Sequence, residues 1–177
     1  MKIIITENQL KNIILKEQEE KSEGSYIKGI SDADIIATTI VGEARGEGKD
    51  GMTAIKNVID NRASKRNSSA AGESIRPKQF SMWNSATSGV SVKTDFDTSK
   101  LKSVIEKYKK YDAWEYAHQI AGLSATDTTD GSTLYYSLLK FKDLDNPRDG
   151  DDKKKDPPYW TKTWKPTIVI GNHKFGK

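Results

Sequence analysis

The chain has no cysteine and only two histidines. The first absence excludes disulfides and thiolate-bound zinc, and leaves the redox compartment open. The second leaves too few imidazoles for a histidine-built metal site, so neither metal nor cofactor is expected. No apolar run approaches the ~18 residues that span a bilayer, which argues against stable membrane insertion. The opening "MKIIIT" breaks into charge before reaching the ~7–15 residues of a secretory core, and no small-residue cleavage site follows. The expectation is a protein made in the cytoplasm without a signal peptide. Apolar residues are also scarce, at 34% with a mean hydropathy of -0.73, so part of the chain is expected to be tail or long loop.

What charge there is has little bias: 29 basic against 25 acidic residues, a net +4. That favours an anionic surface or polymer and is too small to signal nucleic acid. The 177 residues suit one domain with its own core. Residues 1–27 read as an N-terminal arm or short amphipathic segment, with Leu10, Ile13 and Ile14 on one side of a short helix and "EEKSEGS" as linker. Residues 28–177 read as the folded domain.

Within that domain, Ser31 can cap a helix whose first turn carries Asp32 and Asp34 and whose stripe is Ile35, Ile36 and Ile40. A second helix begins near Asp50, with Met52, Ile55, Val58 and Ile59 inward. "NSSAAGESIRP" reads as loop. Helices over Ser99–Lys110 and from an Asp112 cap to Gly122 follow. The last third changes character: "STLYYSLL" has strand composition, and "TIVIGNHKF" reads as a hairpin turning on Gly171 and Asn172. The fold class is therefore α+β, mostly α, with a small late β element.

One stretch, "IIATTIVGEARGEGKDGMTAI", interrupts a helix with glycines and glutamates. At 100° per residue, Ile36, Ile40 and Glu43 fall within about 60° of each other around the axis, so Glu43 continues the apolar stripe. Partial desolvation there raises a carboxyl pKa, and a glutamate protonated near neutrality can serve as a general acid for a poor leaving group. Gly42 beside it costs the helix about 1 kcal/mol relative to alanine, reasonable if something bulky approaches that surface. The alternative is a helix that ends at a Gly46 cap with Glu43 and Glu47 in solvent. Spacing alone does not separate the two. Glu47 reads as a support or a surface charge.

Other residues suggest sugar contacts. Gln79, Phe80, Ser81 and Trp83 combine aromatic faces with amide and hydroxyl groups, the chemistry of carbohydrate binding; core packing is the competing role for Phe80. Tyr135 and Tyr136 point to opposite faces of their strand, and Trp160 lines a groove or pins its loop. His118 and His173 read as structural. Asp95 and Asp97 are the only candidates for a second catalytic carboxylate, and nothing marks them. "DLDNPRDGDDKKKD" fails as a calcium loop, since Pro147 falls where a ligand oxygen is needed.

Taken in order, "TTIVGEARGEGKDGMTAIKNVIDNR", "RPKQFSMWN", "DAWEYAHQIAGL", "DTTDGSTLYYS", "DPPYW" and "TIVIGNHKF" resemble the catalytic domain of the SleB-like cell wall hydrolases. That family includes spore cortex-lytic enzymes and phage relatives. The resemblance covers roughly residues 30 to 175. It implies a lysozyme-like fold and cleavage of peptidoglycan glycan strands between N-acetylmuramic acid and N-acetylglucosamine, by a lytic transglycosylase. On that implication Glu43 is the single acid and base. The alternatives are a lysozyme-type muramidase that uses water and a second carboxylate, and a non-catalytic wall-binding or virion structural protein. With no export signal read from the sequence, the expected setting is a monomeric phage lysis protein, reaching the wall through a holin-type pore. A virion-associated role is the second setting.

Overall fold

The computed structural model describes residues 25–90, 96–124, 126–138, 155–156, 161, 163–164 and 166–177. Most of the proposed arm, Trp160, Asp95 and most of the charged "DLDNPRDGDDKKKD" segment lie outside them. Ile27 is buried, the Tyr26 ring packs on Gly72, and the Tyr26 amide donates to Asp32 Oδ1 at 2.6 Å. Tyr26 and Ile27 therefore pack with the described fold.

Helix α1, Asp32–Ala44, is the centre of the molecule. Its stripe widens into burial nearly all round: Ile35, Ile36, Ala37, Thr38, Thr39, Ile40, Val41 and Ala44 are all buried, the signature of a central helix rather than a surface one. The two threonines sit in the core because their hydroxyls bond back to the carbonyls of Asp34 and Ile35. Around α1 pack α2 (Gly48–Lys65), α3 (Ala70–Ser74), α5 (Thr98–Tyr108) and α6 (Trp114–Ala121). A single 3-10 turn, Ser81–Trp83, leads into the short α4, Asn84–Thr87.

Three local expectations change. Ser31 occupies the N-cap of α1 by backbone, but its side chain makes no cap bond. Asp112 does not cap α6; Ala113 stands there in helical conformation. "NSSAAGESIRP" is not all loop, because it contains α3. There Ser69 Oγ accepts from the Gly72 amide, and Glu73, fully buried, is held by Arg66 and Arg76. Pairing with two arginines is what allows a carboxylate to sit at zero exposure.

The sheet follows the expected pattern. Strands β1 (Leu134–Ser137), β2 (Pro166–Ile170) and β3 (His173–Gly176) are antiparallel in the order β1-β3-β2, and Gly171–Asn172 forms the hairpin turn. β3 is central, and all four of its residues are buried. The α+β, mostly helical class expected from the sequence is the one observed. Among the described residues no helix is long and apolar enough to cross a membrane.

Candidate active site

Glu43 lies in the last turn of α1, half-buried, one residue before the helix ends at Ala44. Its carboxylate oxygen Oε2 accepts a hydrogen bond from the Tyr135 hydroxyl at 2.8 Å. The acid therefore stands where the central helix meets the edge strand β1. The strand alternation resolves the tyrosine pair: Tyr135 turns to Glu43, while Tyr136 is buried against Trp164, ring centres 5.6 Å apart and edge-on.

Tyr135 is enclosed by aromatic rings. Phe175, its β3 partner, stacks at 5.8 Å, and His173 meets it edge-on at 5.4 Å. The Arg62 guanidinium lies 5.8 Å from the Tyr135 ring centre and 5.3 Å from that of Phe80. Burial first, then the Glu43 charge, push the Tyr135 hydroxyl well above the usual tyrosine range, against the opposing pull of Arg62. Tyr135 is thus a persistent proton donor toward Glu43.

The placement of β1 comes from one face of α2. Asn57 Nδ2 donates to the Thr126 carbonyl and the Thr128 hydroxyl. One turn on, Asn61 Nδ2 donates to Asp127, Thr129 and the Ser132 carbonyl, and Arg62 Nε donates to the Thr133 carbonyl at 2.6 Å. On the other side, Asp127 accepts from the amide and hydroxyl of Thr129 and from the Gly131 amide. Burial alone would raise the Asp127 carboxyl, but these hydrogen bonds outweigh it and leave it below the usual carboxylate range. "NVIDNR" and "DTTDGST" are therefore two halves of one joint that sets where Tyr135 begins.

Gly42 has a different partner from the one expected. A methyl group there would collide with the end of the Met82 side chain. The missing side chain makes room for the 3-10 turn to lie against α1, so Gly42 serves packing rather than the approach of a polymer. Glu47 is neither loose nor beside Glu43 on a continuous helix. It occupies the N-cap of α2, where its side chain makes no capping bond and is 7% exposed. Its Oε2 instead accepts from the Asn172 amide at 2.7 Å.

The expected sugar contacts divide. Phe80 and Trp83, at 1% and 0% exposure, are core residues with no surface to offer a sugar. Trp83 is fixed there by an Nε1 hydrogen bond to Thr39 Oγ1 at 2.8 Å. The aromatic signal in "QFSMW" was a packing signal, and the buried Thr39 acceptor on α1 was its missing half. Tyr136 is likewise a core residue. Gln79 is half-buried and Ser81 exposed, so both keep accessible surface, as does Tyr135. Asp97 caps α5 through bonds from the Ser99 and Lys100 amides. His118 lies 3.2 Å from Asp34. Arg45, exposed, packs its guanidinium over Tyr111 at 4.7 Å. Among the described residues no cluster of acids and histidines could hold a metal ion.

Sequence reasoning missed Arg62, His173 and Phe175 as neighbours of the acid, and gave Asn57 and Asn61 no role. The i, i+4 spacing of the two asparagines, with Arg62 next to the second, was the available signal. Nothing local to the chain marked the strand partners of Tyr135.

A helix-dominated α+β domain, with an acid at the end of its central helix and a small sheet closing over it, defines the fold class. Among solved structures the chain is similar to SleB catalytic domains. The catalytic domain of the germination-specific lytic transglycosylase SleB from Bacillus anthracis superposes with a TM-score of 0.51 at 23% identity, over 84% of this chain and 98% of that one. The catalytic domain of the Bacillus cereus SleB protein gives 0.47 at 22%, over 86% and 97%. No protein-family model matches the chain, and no curated protein does. At this identity the likeness establishes the fold.

Proposed function

We propose that this protein cleaves the glycan strands of peptidoglycan as a lytic transglycosylase, with Glu43 as its acid and base. The observation that carries the reading is the Tyr135 hydroxyl bonded to Glu43 Oε2 at 2.8 Å, in a fold shared with a domain named as a lytic transglycosylase. The Glu43 carboxyl carries the transferable proton. That proton passes to the glycosidic oxygen as its bond to the muramic anomeric carbon breaks. The carboxylate then takes the proton of the muramic 6-hydroxyl as this oxygen bonds to the same carbon. The proton returns to Glu43, no water is consumed, and the product ends in a 1,6-anhydro sugar. The Tyr135 bond steadies the carboxylate stage, since a hydrogen bond to the charged form favours it.

A hydrolase would need a second carboxylate ~5–9.5 Å from the first. Among the described residues, Glu47 is committed to the hairpin turn, Glu73 to two arginines and Asp97 to a helix cap, while Asp95 lies outside them. This favours the one-carboxylate route. Gln79 and Ser81 are the substrate contacts that retain surface. Trp160 belongs to the same proposal, as does the lysis setting with a holin-type pore and a monomeric enzyme.

Digestion of purified peptidoglycan by wild type and Glu43→Gln tests it, with products read by mass spectrometry. Anhydro-muropeptides from wild type alone support the proposal. Reducing muramic ends, one water heavier, would replace it with a muramidase. No product from wild type would leave a wall-binding protein.

A further inference from the structure

Glu47 stands at a position where a side chain normally turns inward to cap the helix it precedes, and it does not. Its carboxylate, almost wholly buried, reaches across to the β2–β3 turn and accepts the Asn172 amide at 2.7 Å. The turn is shaped to receive it. Gly171 adopts φ +56°, and a Cβ there would lie 2.7 Å from Glu47 Oε2, so only glycine allows both the left-handed backbone and the close carboxylate. His173, the first residue of β3, brings Nδ1 to 3.9 Å from the same oxygen. From there the contacts run without a gap to the acid: His173 is edge-on to Tyr135, Phe175 two residues on is stacked on it, and Tyr135 donates to Glu43.

We propose that Glu47 is a positioning residue for the Glu43 site: it clamps the hairpin turn, and through His173 and Phe175 holds Tyr135 in line with the Glu43 carboxylate. The two glutamates of "GEARGE" thus do separate work. The first meets substrate, and the second fixes the donor that steadies the first. The effect on turnover rests on the lytic transglycosylase reading; the effect on Tyr135 does not.

The experiment compares Glu47→Ala, Glu47→Gln, Gly171→Ala and the Glu47→Ala/Gly171→Ala double variant, each checked for fold by circular dichroism. Two quantities are read: kcat and KM on soluble glycan strands, and the phenolate absorbance of the seven tyrosines as pH rises. A loosened Tyr135 loses its enclosure, so in Glu47→Ala one more tyrosine should ionise in the ordinary range near ~10. Its kcat should fall on the order of 10- to 100-fold, as misplacement by about 1 Å does, with KM nearly unchanged. Gly171→Ala should reproduce both effects from the other side of the contact. The double variant should be no worse in kcat than Gly171→Ala alone, because one clamp is broken once and the strain of alanine at a positive φ is common to both. Glu47→Gln keeps an acceptor for Asn172 and should recover most of the loss. If Glu47→Ala does not fold, Gly171→Ala and Glu47→Gln carry the comparison. A folded Glu47→Ala, or in its place Gly171→Ala, with wild-type kcat overturns the proposal. If wild type leaves every glycan intact, the functional reading falls, and an unchanged tyrosine titration then overturns the clamp independently.

Discussion

Tyr135 and Glu43 share a 2.8 Å hydrogen bond across 92 positions of sequence, joining the end of the central helix to the edge of a sheet built from the last third of the chain. The acid is defined by this partner as much as by its own helix.

Tyr135→Phe removes the donor and keeps the ring. It should lower kcat roughly 10- to 100-fold, short of the 10²–10⁴ carried by a general acid itself, with KM little changed. The same variant tests the proton balance. The folded state holds the Tyr135 proton above the ordinary value of 10.0, so this contribution to stability is complete below that pH and is lost as pH rises through the higher folded value. The denaturant-measured stability of wild type should therefore fall relative to Tyr135→Phe as pH climbs from about 9 to 11.

Trp83→Phe separates packing from sugar binding. The indole is fully buried and bonded to Thr39, so the smaller ring should destabilise the fold by about 1–3 kcal/mol. KM for glycan should not move, as measured by urea unfolding alongside steady-state kinetics.

Gly42→Val should cost about 1–3 kcal/mol, because the new side chain meets Met82. Shortening the obstacle, in Gly42→Val/Met82→Ala, should recover part of that loss. A double-mutant cycle on unfolding free energies reads the coupling, and strict additivity would refute the contact.

Asp127 is held below the usual carboxylate range. Its stabilising contribution is present above its ordinary value of 3.8 and is lost as pH falls through the lower folded one. Asp127→Asn should flatten the acid limb of the stability curve between about pH 4 and 2, measured by thermal unfolding across buffers.

Much of this architecture was legible in the chain. Helical stripes such as Met52, Ile55, Val58 and Ile59, and the Gly171–Asn172 turn, report local geometry, which periodicity and turn chemistry encode directly. The half-buried position of Glu43 was legible for the same reason, as a carboxylate continuing an apolar face. What escaped was non-local. Trp83 and Phe80 looked like sugar platforms because their polar flanks are visible in sequence, whereas Thr39 and the walls that bury them are not. Gly42 looked like room for a ligand because its filler, Met82, comes 40 positions later in the chain. The short α3 hid in a polar stretch because its stability comes from Arg66, Glu73 and Arg76 rather than from an apolar period.

The 92-position separation also bears on when the protein can act. Contacts this distant in sequence form late, after the loop entropy between them has been overcome. Helices α1 and α2 can associate as soon as they emerge, yet Glu43 then faces no tyrosine. On the proposed function, cleavage waits on β3, which lies between β1 and β2 and carries the rings that hold Tyr135. Under that proposal a half-folded copy would be a harmless one, and turnover would double as a sensor of completed folding.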